Sequence, residues 1–289
     1  MRIDIDLARR VEHSSATATA RQARALATSS PSSGSFAEEL DGGTLISFGP
    51  GRYVNRAIGL GFGDDPEDLI VRAMDRFYGE RGMAPSLELS PLADHSLLAA
   101  LTADGYVLER FRNVYAHDLA TVAAQGSEHI VVLDTAGEAD RKRILSGNAP
   151  EGTDARRISD EFCDALLGVE DKHDFVAVVN GTAAACGTLT VIGDIGWIGG
   201  AATLASQQGK GLQSALVNHR LRLAREVGCN LVAATALPDG QSAHNLVRLG
   251  FQLLYTHVDL TKSSTCRGPD HQVWWSPTRQ VGERGPGRS

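Results

Sequence analysis

The order of strands and helices that hydrophobic patterning predicts in the first half of this chain recurs in the second half, 145 residues later. The offset carries Asp104-Gly105-Tyr106 onto Leu249-Gly250-Phe251, and it carries the helix predicted at 67–81 into the helix predicted at 211–227. Few superimposed residues are identical, so what repeats is the order of predicted elements and not the sequence itself. A chain of 289 residues with such a pattern is expected to hold two α/β units of similar size.

Hydrophobic periodicity predicts the individual elements. After Pro66, apolar residues recur at helical spacing and define one buried helix face. Asn180-Gly181 separates two apolar runs and indicates a β-hairpin. Helices are predicted at 7–28, 67–81, 94–104, 211–227 and 241–250, and strands at 43–48, 55–62, 86–90, 106–119, 175–179, 183–192, 196–205, 230–237 and 251–260.

Composition excludes several classes of function. The net charge of −7, from 28 basic and 35 acidic residues, argues against a general nucleic-acid surface, which needs clustered positive charge. The sequence has no run of about 18 apolar residues and no N-terminal apolar stretch typical of a secretory signal. The four cysteines lie far apart, without metal-ligand spacing. We therefore expect a cytoplasmic protein with buried, reduced thiols, no bound metal and no membrane partner.

The segment 206–217 places two glycines and a lysine immediately before a predicted helix. Gly209 and Gly211 let a ligand approach the backbone closely, and a helix N-terminus offers unpaired N–H groups and positive potential. Lys210 adds a charge, and an ordinary turn is the alternative interpretation. The spacing matches neither a Walker loop nor the dinucleotide fingerprint, which requires glycine where this chain has Ser214. The pattern predicts a phosphate site of another kind.

Two segments carry a resemblance to a known family. AATLASQQGKGLQSALV (201–217) resembles the acetyl-coenzyme A signature of the GNAT-superfamily N-acetyltransferases, Arg/Gln-x-x-Gly-x-Gly/Ala. SAHNLVRLGFQLLYT (242–256) resembles that family's second motif. The resemblance covers about residues 125–260, and the first half looks like a second, degenerate copy. It implies an α/β (α+β) fold with two GNAT-like domains, each a mixed, mostly antiparallel twisted sheet flanked by helices.

The resemblance also implies a domain division and a set of cofactor-binding residues. We expect a degenerate GNAT-like domain at 1–120, an acetyl-coenzyme A-binding GNAT domain at 121–262 and a flexible tail at 263–289. Backbone amides of the glycine loop would hold the pyrophosphate, the end of the preceding strand would pair with the pantetheine arm, and one amide side chain would come from the second motif. The residues implied are Thr203, Leu204, Gln208, Gly209, Lys210, Gly211, Leu212, Gln213 and Asn245.

This chain departs from the family pattern in both halves. Ser206 stands where Arg or Gln is usual, and Gln208 stands at a position often held by Arg, so less positive charge faces a phosphate. In the first half, Asp64, Asp65 and Pro66 fall where the second half has Gly209-Lys210-Gly211. The acids would repel a phosphate and the proline lacks an N–H donor. We therefore expect the first half to be a scaffold, or one wall of the acceptor pocket, and not to bind coenzyme A.

The acceptor chemistry is less well defined. In many family members a tyrosine of the second motif protonates the departing thiolate, but Leu246 occupies that position here. Tyr255, on the last predicted strand, is the predicted substitute, with a half-buried strand aromatic as the alternative. Acidic residues between 151 and 174 suggest attraction for a cationic amine, or simple surface solvation. The general base stays open among a water-relayed group, Asp194, His173, His244 and His257.

By its resemblance, the chain is expected to be an acyltransferase that moves an acetyl group directly from acetyl-coenzyme A to an amine of a small molecule. Acetylation of a protein or peptide is the alternative within catalysis. A non-catalytic acyl-coenzyme A sensor is the alternative outside catalysis, and the missing tyrosine favours it. A homodimer is one expectation for its assembly.

Overall fold

The described chain mixes helices with strands throughout its length. The computed structural model describes residues 3–52, 54–121, 131–134, 138–147 and 149–262, so the tail expected at 263–289 lies outside the described residues. The helices are α1 (Ile5–Ser29), α2 (Glu67–Gly79), α3 (His95–Ala103), α4 (Glu138–Ser146), α5 (Asp154–Ala165), α6 (Leu212–Glu226) and α7 (Gln241–Arg248). The strands are β1 (Phe36–Leu40), β2 (Gly43–Ser47), β3 (Arg56–Ile58), β4 (Ser86–Leu89), β5 (Tyr106–Asp118), β6 (Val131–Asp134), β7 (Lys172–Val179), β8 (Thr182–Ile192), β9 (Ile195–Thr203), β10 (Leu231–Ala236) and β11 (Gln252–Lys262).

All the strands of the described chain form one sheet, in the order β1-β2-β3-β4-β11-β5-β10-β9-β8-β7-β6. Two pairs are parallel, β3 with β4 and β9 with β10, and the other pairs are antiparallel. The mixed, mostly antiparallel sheet with flanking helices confirms the predicted fold class. The predicted turn at Asn180-Gly181 joins β7 to β8, with φ of 51° and 76° at the two residues.

The two halves exchange their last strands. β5 ends the first half in sequence but pairs with β10 of the second half, while β11 ends the second half and pairs with β4 of the first. The exchanged strands also pair with each other over most of their length. Each half therefore completes its sheet with a strand from the other, and the centre of the sheet belongs to both.

Helix α1 bridges the two ends of this sheet. It contacts β1, β2 and β3 on one side and β8 and β9 on the other. Small buried side chains such as Ala8, Ala16 and Ala23 let it approach the strands closely. Polar contacts fix it further: Trp197 Nε1 donates to Ser14 Oγ over 2.7 Å. α1 thus covers the face of the sheet opposite to the face on which α6 packs.

Several elements differ from the sequence predictions. The strand predicted at 55–62 is only Arg56–Ile58, because Gly59 and Gly61 adopt positive φ and end it. β1 was not predicted, since its acidic residues interrupt the apolar pattern. The acidic stretch of 151–174 divides into α5 and the beginning of β7.

Candidate functional site

The glycine loop between β9 and α6 has an open, left-handed backbone. Gly209 and Gly211 both have φ of 77°, a conformation that L side chains rarely adopt, and Gly211 is the N-cap of α6. A Cβ atom built on either glycine would meet no atom within 4 Å. The glycines are therefore required by the turn itself, and the space in front of the loop is free for a ligand.

The loop presents a row of free donors. Within the described chain, no backbone N–H from Gly209 to Gln213 donates to a protein acceptor. α6 is 15 residues long, so its dipole adds positive potential at this end. Among the described residues, Lys210 Nζ bonds only the neutral Gln207 Oε1, over 2.8 Å. Donors, dipole and ammonium group together suit an anion.

A gap opens in the sheet beside this loop. β9 and β10 pair only from Ile195 with Leu231 to Trp197 with Ala233, and they separate beyond that point. A bulge opposite β8, between the pairs Thr188–Gly199 and Cys186–Ala202, also lies in the separated part of β9. The residues there are small and exposed, namely Gly199, Gly200 and Ala201. Over these residues β9 and β10 are not paired with each other.

Thr203 and Leu204 differ in what their main chains offer this gap. Leu204 N–H donates to Ala184 O over 3.0 Å, and Leu204 O accepts from Gln207 N–H over 2.8 Å. Because main-chain groups alternate between the two edges of a strand, the N–H and C=O of Thr203 point away from β8, toward the gap. Pairing with a cofactor arm stays a prediction for both residues, and the geometry favours Thr203.

The Gln213 side chain fastens the start of α6 to the end of β9. Its Nε2 donates to Ala202 O over 2.9 Å, to Thr203 Oγ1 over 3.0 Å and to Cys186 O over 3.3 Å. Sequence analysis assigned this residue only a backbone role. No local signal reveals the side-chain role, because the three acceptors come from β8 and β9.

Arg248, which sequence analysis did not single out, links the Asn245 side chain to the N-terminal end of α6. Asn245 Oδ1 accepts from Arg248 Nη2 over 3.1 Å, and the same Nη2 donates to Ser214 Oγ over 3.1 Å. Ser214 lies in the first turn of α6. Arg248 therefore brings a positive charge from α7 to the glycine loop. Gln208, the remaining predicted side chain, is exposed on the loop.

In the first half, a carboxylate occupies the corresponding loop. Asp41 accepts hydrogen bonds from Gly61 N–H over 2.7 Å and from Asp65 N–H over 3.1 Å. A Cβ atom on Gly63 would lie 2.3 Å from Asp41 Oδ1, so this glycine makes room for the carboxylate. The loop before α2 thus carries an internal anion where the loop before α6 is open.

Tyr255 lies away from the gap. Its hydroxyl donates to Glu12 Oε1 over 2.7 Å, and its ring packs beneath α1. Burial, reinforced by the Glu12 carboxylate, raises the pKa of Tyr255 above its usual range. Since β5 separates β11 from β10, Tyr255 is two strands from the gap, roughly 10 Å by strand spacing. Its role as proton donor stays a prediction that this position does not favour.

The groups considered for acceptor chemistry are mostly engaged elsewhere. Asp194 pairs with Arg10, and the buried His257 contacts Glu12. His244 is exposed and lies 3.6 Å from Asp239. Acids of the 151–174 stretch form ion pairs: Asp154–Arg157, Asp160–Arg156, Glu161–Arg52, Asp164–Lys142, Asp171–Arg21 and Asp174–Lys172. Much of their attraction for a cationic acceptor is therefore already neutralised.

The described residues do not favour a cysteine nucleophile or a metal site at the gap. Cys186 lies on β8 opposite Ala202, and burial raises the pKa of its thiol to about 12, so it is a poor nucleophile. Cys163 and Cys229 are also free and buried. Over the described ranges, no three His, Cys, Asp or Glu side chains are grouped to hold a metal ion. None of the helices described there is long and apolar enough to cross a bilayer.

Comparisons with known proteins give one family match and several structural neighbours. Residues 142–251 match the family model described as "Acetyltransferase (GNAT) family". The chain is similar in structure to a GCN5-related N-acetyltransferase from Kribbella flavida, with 16% identity and a TM-score of 0.61 over 85% of this chain and 96% of that one. A search of curated proteins found no match.

Two further solved structures share the fold. One is a tandem GNAT protein from the clavulanic acid biosynthesis pathway, with 16% identity and a TM-score of 0.53 over 76% of this chain and 73% of that one. The other is an acetyltransferase of the GNAT family from Colwellia psychrerythraea, with 11% identity and a TM-score of 0.51 over 81% and 87%. Identities this low show a common fold only.

Proposed function

We propose that this chain transfers an acetyl group from acetyl-coenzyme A to an amine of a small molecule, because residues 142–251 match the family model of the GNAT acetyltransferases. One observation carries the proposal: the row of free N–H donors from Gly209 to Gln213 lies directly beside the gap between β9 and β10. The N–H donors fit the phosphate groups of the cosubstrate, and the gap fits its extended arm.

The chain's own residues have separable tasks in this reaction. The N–H groups of the glycine loop hold the pyrophosphate, and the Thr203 main chain aligns the pantetheine arm along β9. The small residues Gly199, Gly200 and Ala201 leave room for the thioester where the strands separate. Holding both reactants in line supplies much of the rate enhancement. When bound, acetyl-coenzyme A supplies the activated acetyl group.

The first half serves this reaction as a scaffold in our proposal. Asp41 already fills the donors of its loop, and Pro66 at the N-cap of α2 lacks an N–H. A second cosubstrate site there would have to displace an internal carboxylate. We therefore place one acetyl-coenzyme A on each chain.

A non-catalytic acyl-coenzyme A sensor is the second candidate. The observation that favours it is Leu246, which occupies the position where many family members have a catalytic tyrosine. Release of free thiol from acetyl-coenzyme A with a panel of amines separates the two candidates. A sensor would bind the cosubstrate and release no thiol with any acceptor.

The glycine loop is tested by Gly209→Val and Gly211→Val. The added side chains block close approach, and losing one charge-assisted N–H contact lowers affinity roughly tenfold or more. Titration calorimetry with coenzyme A measures this loss. Gly228→Val is the matched control, since Gly228 also has a positive φ (94°) and open space, but follows the other end of α6. Equal affinity in a folded Gly211→Val protein and in the control would overturn the proposed function.

A further inference from the structure

A tyrosine of the exchanged strand lies one strand from the gap. Tyr115 on β5 is directly opposite Ala234 on β10, one residue beyond the last parallel pair of β9 with β10. Its side chain belongs to the apolar cluster beneath α6 and α7, which also contains Ala234, Ala236 and Leu246. The two alanines are the β10 side chains of this cluster nearest the gap, and their small size leaves the phenol room to reach across the strand.

Hydrogen bonds direct the end of this phenol toward the mouth of the gap. Asn113 Nδ2 donates to Tyr115 Oη over 3.0 Å, and Asn113 is opposite Ala236, the last residue of β10. Asn113 is itself oriented, because Thr256 Oγ1 donates to its Oδ1 over 2.8 Å from the neighbouring strand β11. Both strands of the exchange thus contribute to the position of Tyr115.

Within the described part of the chain, the proton of this phenol makes no hydrogen bond to the protein. Tyr115 is only 5% exposed, and its oxygen is already the acceptor for Asn113. The structure therefore shows this hydroxyl as an acceptor and not as a donor. A buried hydroxyl normally finds an acceptor, so this donor points to a group that arrives with a ligand.

We propose that Tyr115 is the general acid of the acetyl transfer, supplied to the second half by the first. This rests on the proposed function. As the carbon–nitrogen bond forms and the carbon–sulfur bond breaks, Tyr115 gives its phenolic proton to the sulfur, which leaves as a thiol. The amine gives up its proton to water, and water returns a proton to the phenolate. Tyr115 thereby fills the role left open by Leu246 on α7.

Tyr115→Phe is the decisive variant, because it keeps the ring and removes the proton. General acid catalysis contributes roughly a hundredfold or more, so kcat should fall by about that factor while acetyl-coenzyme A still binds. Tyr106→Phe is the matched control: it removes another buried hydroxyl of β5, one that bonds Asp75 far from the gap. An unchanged kcat in Tyr115→Phe overturns the inference. So does a fall in kcat that occurs in Tyr255→Phe but not in Tyr115→Phe.

A binding cycle tests the same contact without turnover. Coenzyme A and desulfo-coenzyme A are titrated into the wild type and into Tyr115→Phe. A hydrogen bond from Tyr115 to the sulfur gives the wild type about a two- to tenfold preference for the thiol that Tyr115→Phe lacks. Equal preference in both proteins overturns the role of Tyr115. If coenzyme A binds neither protein, the proposed function fails and this inference fails with it. If coenzyme A binds both proteins with the same preference over desulfo-coenzyme A, only the role of Tyr115 is refuted.

Discussion

Arg248 places a cation where the local field disfavours one. Its guanidinium contacts Ser214 in the first turn of α6, at the positive end of that helix. Its hydrogen-bond partners, Ser214 and Asn245, are neutral, and no ion pair of Arg248 occurs in the described part of the chain. The end of α7 favours this charge to some extent, but an anion on the glycine loop would favour it more. Arg248 therefore lies where it would supply positive charge to an anion held by the loop.

Arg248→Ala should weaken coenzyme A binding by roughly three- to tenfold, the range for an exposed charge contact. Arg248→Lys should retain part of the affinity, and the difference should shrink at high salt. Titration calorimetry at two ionic strengths measures both effects. Arg225→Ala, an exposed arginine in the last turn of α6, is the control. An equal loss in the control would mean that only the overall charge matters.

What sequence reveals about the site depends on how local each contact is. The glycine loop was predictable because Gly209, Gly211 and the start of α6 are consecutive in the chain. Tyr115, Asp41 and Arg248 were not, because each acts on a segment that is distant in sequence. Tyr115 meets β10 only through the strand exchange, which no periodicity encodes. A site built by long-range pairing leaves no signature in one segment.

At the scale of elements, α1 is held to β11 by a buried polar cluster. Glu12 of α1 contacts His257 Nε2 over 2.5 Å, and both residues are about 1% exposed. Burial opposes a charge on His257, but the carboxylates around it outweigh burial and raise its pKa. The charged or titratable groups in this cluster are Glu12 on α1, Arg56 on β3, Glu88 on β4, Arg110 and Arg112 on β5, and Tyr255 and Asp259 on β11.

This cluster predicts a loss of stability in alkali. Because the folded pKa of His257 lies above the unfolded value, its stabilisation is complete below about pH 6.5 and is lost as pH rises through the folded pKa. Between the two pKa values, the free energy of unfolding should fall with a slope of up to about 1.4 kcal/mol per pH unit. Urea titrations from pH 6 to pH 9 measure this slope.

His257→Gln should remove that part of the slope, whereas His95→Gln, at an exposed histidine, should not. Parallel stability curves for the wild type and His257→Gln would contradict the assignment.

The elements around this cluster were mostly predictable, since β4, β5 and β11 have regular apolar patterns. Their order in the sheet was not, because an exchange of two similar strands leaves both patterns unchanged.

At the scale of the molecule, the exchange should make unfolding a single event. Leu260 of β11 is buried in the apolar cluster of the first half, opposite Leu87. Leu260→Ala should therefore cost about 2–5 kcal/mol and lower the melting temperature of both halves together. Scanning calorimetry should show one peak that shifts as a whole. Val247→Ala, at an exposed apolar residue, is the control. Two peaks, of which only one moves, would show independent halves.

The exchanged strands also constrain how such a chain can change over generations. A unit whose loop is closed by its own carboxylate would ordinarily be free to decay or be deleted. Here the first unit still lends β5, and with it Tyr115 and Asn113, to its neighbour. Deleting it would leave β10 with an unpaired edge and, under our proposal, the acetyl group without its proton donor, so selection on the second unit would preserve the first.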